Sequence, residues 1–506
     1  MPRRPPFWLT LLIILIGLPL CLPFLYVILR ATEVGLTRSV ELLFRPRIAE
    51  LLSNTMLLMV CVTIGAISLG TLCAFLLERC RFFGKAFFEV AMSLPLCIPA
   101  FVSCFTWISL TFRVEGFWGT IGIMTLSSFP LAYLPVSATL KRLDRSLEEV
   151  SLSLGKSSTY TFWHAIFPQL KPAIGSSVLL IALHMLVEFG AVSILNYQTF
   201  TTAIFQEYEM AFNNNTAALL SGVLMVICIL VVMGEIRFRG TQTLYQSGKG
   251  VIRPYPLKTL SAGKQILVVS FFTTIFVLSI GVPITMLIYW LTVGSSIEGA
   301  VDFGEFFTAF TNSLTISTLG ATLTVICALP LVWAAVRYRS KLTIWLDRIP
   351  YLLHAVPGLV IALSLVFFTI NYAYSLYQTF AMVIVAYFML YLPMAQTTLR
   401  SSLEQMSDNI EKVGQSLGRS NFYIFRTLVI PAMLPGIAAA FALVFLNLMK
   451  ELTATLLLTP NDIKTLSTAV WEYTSDAQYA AATPYAIMLV LFSGIPVFLL
   501  KRYGFK

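Results

Sequence analysis

The sequence predicts an all-α polytopic membrane protein with about twelve transmembrane helices in two parallel six-helix repeats. Three observations lead there. The 506 residues are 58% hydrophobic and only 11% charged, with a mean hydropathy of +0.83, far more apolar than a soluble domain. The apolar runs are near 20 residues or longer and carry few charges, which suits helices crossing roughly 30 Å of hydrocarbon rather than barrel strands. A set of landmark residues also recurs in the second half of the chain at nearly constant spacing.

The spans are expected at 7–29, 54–77, 88–112, 118–139, 174–196, 216–235, 265–292, 312–336, 351–371, 379–399, 435–458 and 483–500. Arg3 and Arg4 before an apolar stretch resemble a secretory signal. The stretch from Phe7 to Leu29 is too long for one, so it is read as a retained first helix. An even number of crossings puts both termini on one side. The loops of that side hold 27 of the 34 Lys and Arg residues and the opposite loops 6, with Lys450 inside a helix. The positive-inside rule then places both termini in the cytoplasm. The formal charge of +10 is therefore a topology signal, and no nucleic-acid partner is expected.

Asn54, Arg79, Arg81, Pro99 and Pro135 recur 258 residues later as Asn312, Arg337, Arg339, Pro357 and Pro393. Gly155, Pro168, Pro172, Ile174 and Glu188 recur 263 later as Gly418, Pro431, Pro435, Ile437 and Glu451, which places a five-residue length difference between Pro135 and Gly155. The organisation expected is one repeat over 1–236, a polar cytoplasmic connector over 237–264 and a second repeat over 265–506. Six helices per repeat orient both copies alike, about an axis along the membrane normal.

In each repeat the longest cytoplasmic segment lies between the fourth and fifth helices. Leu140, Leu143, Leu147, Val150 and Leu154, like Leu403, Met406, Ile410, Val413 and Leu417, step by 3, 4, 3, 4 and predict one apolar stripe on a helix. Gly155 and Gly418 stand where a helix ends in left-handed geometry. Pro168 and Pro431 follow thirteen residues later, just before the next span.

Here the chain resembles the cytoplasmic "EAA" loop of binding-protein-dependent ABC importer permeases, with EEVSLSLG and AIFP in the first copy and IEKVGQSLG and LVIP in the second. The resemblance implies an ABC type I importer-like fold. It also implies that the loop helices, through Glu148, Glu149, Gly155, Pro168, Glu411, Gly418 and Pro431, dock on two cytoplasmic ATP-binding subunits. The copies depart from the pattern. Glu149 holds the usual Glu position in the first copy, but Lys412 holds it in the second, and the small pair has become Val150-Ser151 and Val413-Gly414. Over the whole chain the resemblance is closest to fused permeases of ferric-iron importers served by a periplasmic ferric-binding protein, carried by EFGAVSILNYQTFTTAIF and LMKELTATLLLTP. Thiamine and other small-solute permeases share the plan, and an ion-coupled secondary transporter shares the repeat architecture.

No Walker A loop, H-E-x-x-H or G-x-S-x-G is present, so no catalytic residue and no cofactor is expected and ATP hydrolysis falls to partner subunits. The eight cysteines lie mostly in apolar runs without a C-x-x-C pair and read as small buried hydrophobes. No metal-ligand set is assigned. Hard cations prefer oxygen, and Glu188 and Glu451 are the helix-borne carboxylates available, placed about 14 residues or roughly 21 Å into their helices. They are expected to face a central pathway rather than lipid. His184, one turn before Glu188, is expected to make a core hydrogen bond. The segments after both glutamates, with the related strings Thr202-Ala203-Ile204-Phe205 and Thr468-Ala469-Val470-Trp471, are expected to form a periplasmic gate reached from Glu207 and Tyr473.

Overall fold

Backbone groups in hydrocarbon must find partners within their own segment, so apolar runs of this length close into helices. The computed structural model describes residues 5–143, 146–239, 257–293, 302–338, 341–353, 356–406, 413–414 and 416–503, almost all of them helical. Among the described residues the one β-pairing is a parallel two-residue ladder. In it Cys80 and Arg81 face Lys258 and Thr259, tying the end of the connector to the end of helix Pro46–Arg79.

Among the described residues eight helices are long and apolar enough to cross a membrane: Phe7–Val34, Pro46–Arg79, Phe117–Arg142, Ser158–Val187, Asn214–Gly234, Ala262–Val293, Phe303–Arg337 and Phe380–Gln405. Three more places are filled by bent pairs. Lys85–Cys97 turns 94° into Ala100–Leu110, Leu346–Leu353 turns into Gly358–Tyr372, and Phe422–Ala432 turns 71° into Leu434–Met449. The last helix, Tyr479–Tyr503, has its apolar part at Tyr479–Gly494. Pro99 and Pro357 stand just inside the first two bends with matching backbone, φ −56°, ψ 141° and φ −57°, ψ 142°. Proline fixes φ and donates no hydrogen bond, so it starts a new helix and does not extend the old one.

The duplication is confirmed in register, with one correction. Phe117–Arg142 and Phe380–Gln405 are equal in length and 263 residues apart throughout, so Pro393 corresponds to Pro130, not to Pro135. Four of the five residues lie earlier, where helix Gly358–Tyr372 has 15 residues and its counterpart Ala100–Leu110 has 11, and the fifth just before Phe117 and Phe380.

The repeats interlock through their first helices. Trp8 stacks on Trp333 at 6.1 Å and meets Phe422 edge-on at 5.6 Å, placing helix Phe7–Gly17 on the second repeat. Leu9, Ile13, Ile16 and Leu20 belong to the core built from Phe303–Arg337 and Phe380–Gln405. Conversely, Phe272 of Ala262–Phe276 stacks on Phe82 at 5.4 Å and Phe88 at 5.3 Å, inside the core of the first repeat. All eight cysteines are free thiols, five of them buried.

Candidate coupling and pathway sites

The two surface loops match in sequence, and where both are described their features correspond. Each preceding span ends at a residue in extended conformation, Leu143 with ψ 132° and Met406 with ψ 129°. The expected continuous stripe is thus broken. Leu140 and Leu403 are buried in the bundle, and the loop helix, Ser146–Ser153 in the first copy, starts afresh beyond the break. Apolar spacing at 3 and 4 persists across the extended residues Leu143 and Met406, which is why periodicity merged the two. Gly155 and Gly418 adopt φ +74° and +73°, as their helix-ending positions require.

After the glycine, the Ser157 hydroxyl accepts from the Tyr160 N–H at 3.2 Å and the Ser420 hydroxyl from the Tyr423 N–H at 3.3 Å. Lys156 lies over the Tyr160 ring at 5.0 Å and Arg419 over Tyr423 at 4.9 Å. Single π-helical turns follow, Phe162–Ile166 and Phe425–Val429, and Pro168 and Pro431 occupy the first turn of the helix after each. The small residue of the motif is explained pairwise. Ser151 and Thr161 share a hydroxyl hydrogen bond of 2.8 Å, whereas in the second copy Ile424 fills that space. A Cβ on Gly414 would stand 2.8 Å from Ile424.

Burial divides the carboxylates. Glu148 is buried and ion-paired with Arg79 at the end of Pro46–Arg79, so it anchors the loop helix to the bundle. Glu149 beside it is exposed. In the second copy Arg337, the equivalent of Arg79, donates to the Met406 carbonyl at 3.3 Å, while Glu411 lies outside the described residues. The outer half of the stripe faces solvent in both copies: Val150 is 56% and Val413 57% exposed, Leu154 71% and Leu417 72%. Two apolar patches of matched residues are therefore presented on the face that carries the Lys- and Arg-rich loops.

Glu188 and Glu451 are not in mid-helix as expected. Helix Phe167–Val187 ends immediately before Glu188, and Leu434–Met449 ends two residues before Glu451. Each carboxylate turns forward to cap the next short helix. Glu188 accepts from the Ala191 N–H at 3.0 Å. Glu451 accepts from the N–H groups of Ala454 and Thr455 at 3.1 Å and from the Thr455 hydroxyl at 2.9 Å. The apolar run continues through both breaks, so hydropathy alone joined the pieces. Glu451 is buried, with Oε1 3.6 Å from where a Gly358 Cβ would stand, beside the Pro357 bend.

His184 faces Glu188 at 3.7 Å, whereas its counterpart Asn447 donates to the Leu443 carbonyl at 2.8 Å. Lys450 reaches across the repeat boundary and donates to the Leu96 carbonyl at 2.9 Å, in the bend of the first repeat's third span. Among the described residues no three His, Cys, Asp or Glu side chains converge as a metal set.

The segments after the two glutamates form a second duplicated unit, which residue pattern alone only hinted at. Thr199 and Thr465 each make a capping box, with Thr202 and Thr468. The Thr201 hydroxyl donates to the Glu188 carbonyl at 2.7 Å and the Ser467 hydroxyl to the Glu451 carbonyl at 2.8 Å. Asn54 donates to the Gln198 carbonyl at 3.2 Å and Asn312 to the Lys464 carbonyl at 3.1 Å. The signal was present as a third constant offset, 266 residues, in Thr199 to Thr202 against Thr465 to Thr468. The two units meet between the repeats. Phe189, Phe205 and Trp471 form one aromatic cluster with centroids 4.7 to 6.3 Å apart, and a Cβ on Gly190 would stand 2.7 Å from Leu452.

On the rim of the second unit, Lys464 pairs with Glu305 and Glu472, both at 2.9 Å, and the Tyr473 hydroxyl donates to Glu305 at 3.2 Å. Burial alone would lower the Lys464 ammonium, but the two carboxylates outweigh it and hold it well above the usual lysine range.

A duplicated all-helical membrane protein, with paired surface helices on one face and paired capped breaks between the repeats, is a transport permease in build. The chain belongs to the family of inner membrane components of binding-protein-dependent transport systems, whose model matches twice, at residues 66–236 and 328–503. It is 85% identical over 506 residues, the full length of both chains, to the Fe(3+)-transport system permease protein FbpB 2 of Haemophilus influenzae. It is 21% identical over 408 residues, 74% of this chain and 57% of the relative, to the ferric transport system permease protein FbpB of Actinobacillus pleuropneumoniae. Against the sulfate transport system permease protein CysT of Escherichia coli it is 29% identical over 206 residues, 37% of this chain and 74% of that one.

Proposed function

We propose that this chain is the membrane permease of an ATP-driven importer that moves ferric iron delivered by a periplasmic ferric-binding protein. Two cytoplasmic ATP-binding subunits drive it, each on one loop helix. The observation that carries the coupling reading is the matched exposure of Val150 with Val413 and Leu154 with Leu417, in the first copy on a helix anchored to the bundle through Glu148 and Arg79. Surface apolar residues repeated at equivalent sites mark an interaction surface, and a two-fold arrangement offers one to each of two identical partners. The iron reading rests on the full-length relative at 85% identity.

In this reading 1–236 and 265–506 are the two permease repeats, 237–264 is the cytoplasmic connector, and both termini lie in the cytoplasm. The units after Glu188 and Glu451 lie at the periplasmic side and receive the binding protein. The cation passes between the repeats where Phe189, Trp471, Gly190 and Leu452 now meet, and the glutamates hold the hinge segments that open there. The chain itself carries out no covalent chemistry.

The test is uptake of radioactive ferric iron by cells expressing the permease with a candidate ATPase and binding protein. Uptake abolished by ATP depletion and indifferent to an uncoupler is expected. Uptake that follows an ion gradient without ATPase would overturn the reading, and thiamine uptake in place of iron would overturn the substrate.

A further inference from the structure

Beyond the transport pathway, the molecule carries an open groove of about 640 Å³ on its outer surface, along the first helix of the second repeat. One wall runs from Gln265 to Leu278, and Phe83 of the first repeat stands on the other side. Fourteen residues of helix span roughly 20 Å, a little more than one leaflet of a bilayer whose hydrocarbon is roughly 30 Å thick. The groove is a built feature. A π-helical turn, Val277–Gly281, interrupts the helix at its deep end, and Pro283 follows, so the wall departs there from regular helix.

Its lining is mainly apolar with a minority of polar groups. Ile266 and Val277 are exposed, as expected in a bilayer, but Gln265, Ser270, Thr273 and Thr274 bring polar groups into the same concavity. A polar group facing pure hydrocarbon loses its partners, which is unfavourable unless the occupant supplies them.

The mouth is basic. Lys264 precedes Gln265, Arg81 and Lys85 flank the 81%-exposed Phe83, and Lys258 is held in register with Cys80 by the short ladder. Lys85 is paired with Glu89 at 3.6 Å, while among the described residues Arg81, Lys258 and Lys264 have no carboxylate partner. Two of these cations adjoin lining residues, Lys264 beside Gln265 and Arg81 two residues before Phe83, and complement a phosphodiester joined to acyl chains, whereas Lys258 lies on the opposite face of the ladder from Arg81.

We propose that this groove is a binding site for an anionic phospholipid. Its headgroup phosphate sits between Arg81 and Lys264, its ester oxygens face Gln265 and Ser270, and an acyl chain lies along the wall toward Val277. The lipid bridges the first repeat and the exchanged helix of the second, at the seam where Phe272 packs on Phe82 and Phe88. The site is independent of the transported substrate and of the ATPase.

The test is native mass spectrometry of the delipidated full-length chain with dioleoylphosphatidylglycerol or dioleoylphosphatidylcholine. The wild type is expected to retain phosphatidylglycerol at a concentration at least tenfold lower than phosphatidylcholine. The combined Arg81→Gln and Lys264→Gln change is expected to erase that tenfold preference, and Ser270→Phe with Thr274→Phe to remove the retained lipid. Equal retention of the two lipids by the wild type, or a preference untouched by the charge variant, overturns the proposal. A groove-filled variant that keeps its lipid but loses a bound polypeptide overturns it too, in favour of a helix-docking seam. A phosphatidylglycerol with a photoreactive acyl chain, applied to the wild type, serves if a variant fails to fold. Adducts concentrated on 265–278 support the site, and adducts spread evenly over the outer helices refute it.

Discussion

Truncating Glu451 to alanine should destabilise the protein more than the same change at Glu188, although the two residues are repeat equivalents. The Glu451 side chain accepts from two backbone N–H groups, those of Ala454 and Thr455, and from the Thr455 hydroxyl in a buried setting, whereas Glu188 accepts from the Ala191 N–H alone. The Thr455 hydroxyl keeps partners in the Glu451 carbonyl and Tyr387, so the loss falls on the two N–H groups. A buried donor left without an acceptor costs about 1–3 kcal/mol, giving about 2–6 kcal/mol for Glu451→Ala. Loss of a single helix cap costs about 0.5–2 kcal/mol, the range expected for Glu188→Ala. Glu451→Gln retains an acceptor oxygen and should recover more than half of the loss. The assay is unfolding in mixed detergent micelles followed by circular dichroism, with all variants in one detergent. Equal destabilisation by the two alanine variants, within about 0.5 kcal/mol, would refute the capping argument.

Gly155→Val and Gly418→Val place a β-branched residue at φ +74° and +73° with open space around it, so the cost is backbone strain alone, about 1–2 kcal/mol each. Iron uptake per ATP hydrolysed should fall while membrane insertion is unchanged, and normal coupling in the double variant would count against the loops. Gly414→Ser should be disruptive because its Cβ would meet Ile424 at 2.8 Å, and Gly414→Ser combined with Ile424→Thr should restore thermal stability by recreating the Ser151–Thr161 pair. No rescue by the second change would show that the two sites are not coupled. The raised Lys464 gives stability that is fully present below the unfolded-state pKa of about 10.4 and is lost as pH rises through the higher folded value. Melting temperature should therefore fall more steeply above pH 10 in the wild type than in Lys464→Met, and parallel curves would exclude the ion-pair contribution.

Class and duplication were legible because they rest on composition and on offsets, which survive without coordinates. What escaped was local. The runs through Glu188 and Glu451 stay apolar across their helix breaks, since the carboxylates cap inward and no polar loop intervenes, so hydropathy has nothing to register. The stripe through Leu143 and Met406 keeps helical spacing although both residues are extended. Two prolines close together, Pro130 and Pro135, let the length difference be assigned to the wrong segment. The exchange of Phe7–Gly17 and Ala262–Phe276 between repeats could not be read, because a helix apolar on every side carries no mark of which neighbour it prefers. At the loops, the repeated EE of the first copy suggested two surface carboxylates, and only burial separates Glu148, which anchors, from Glu149, which is exposed.

The central claim is that the two loop helices receive a two-subunit motor, and photocrosslinking tests it most directly. A benzophenone amino acid placed at Leu154 or at Leu417, in the permease co-expressed with its ATPase, should yield one ATPase adduct from each position and two from the double variant. The same probe at Phe112, on the opposite face, should yield none. Adducts at Leu154 and Leu417 with lipid alone, or equal ATPase adducts at Phe112, would contradict it.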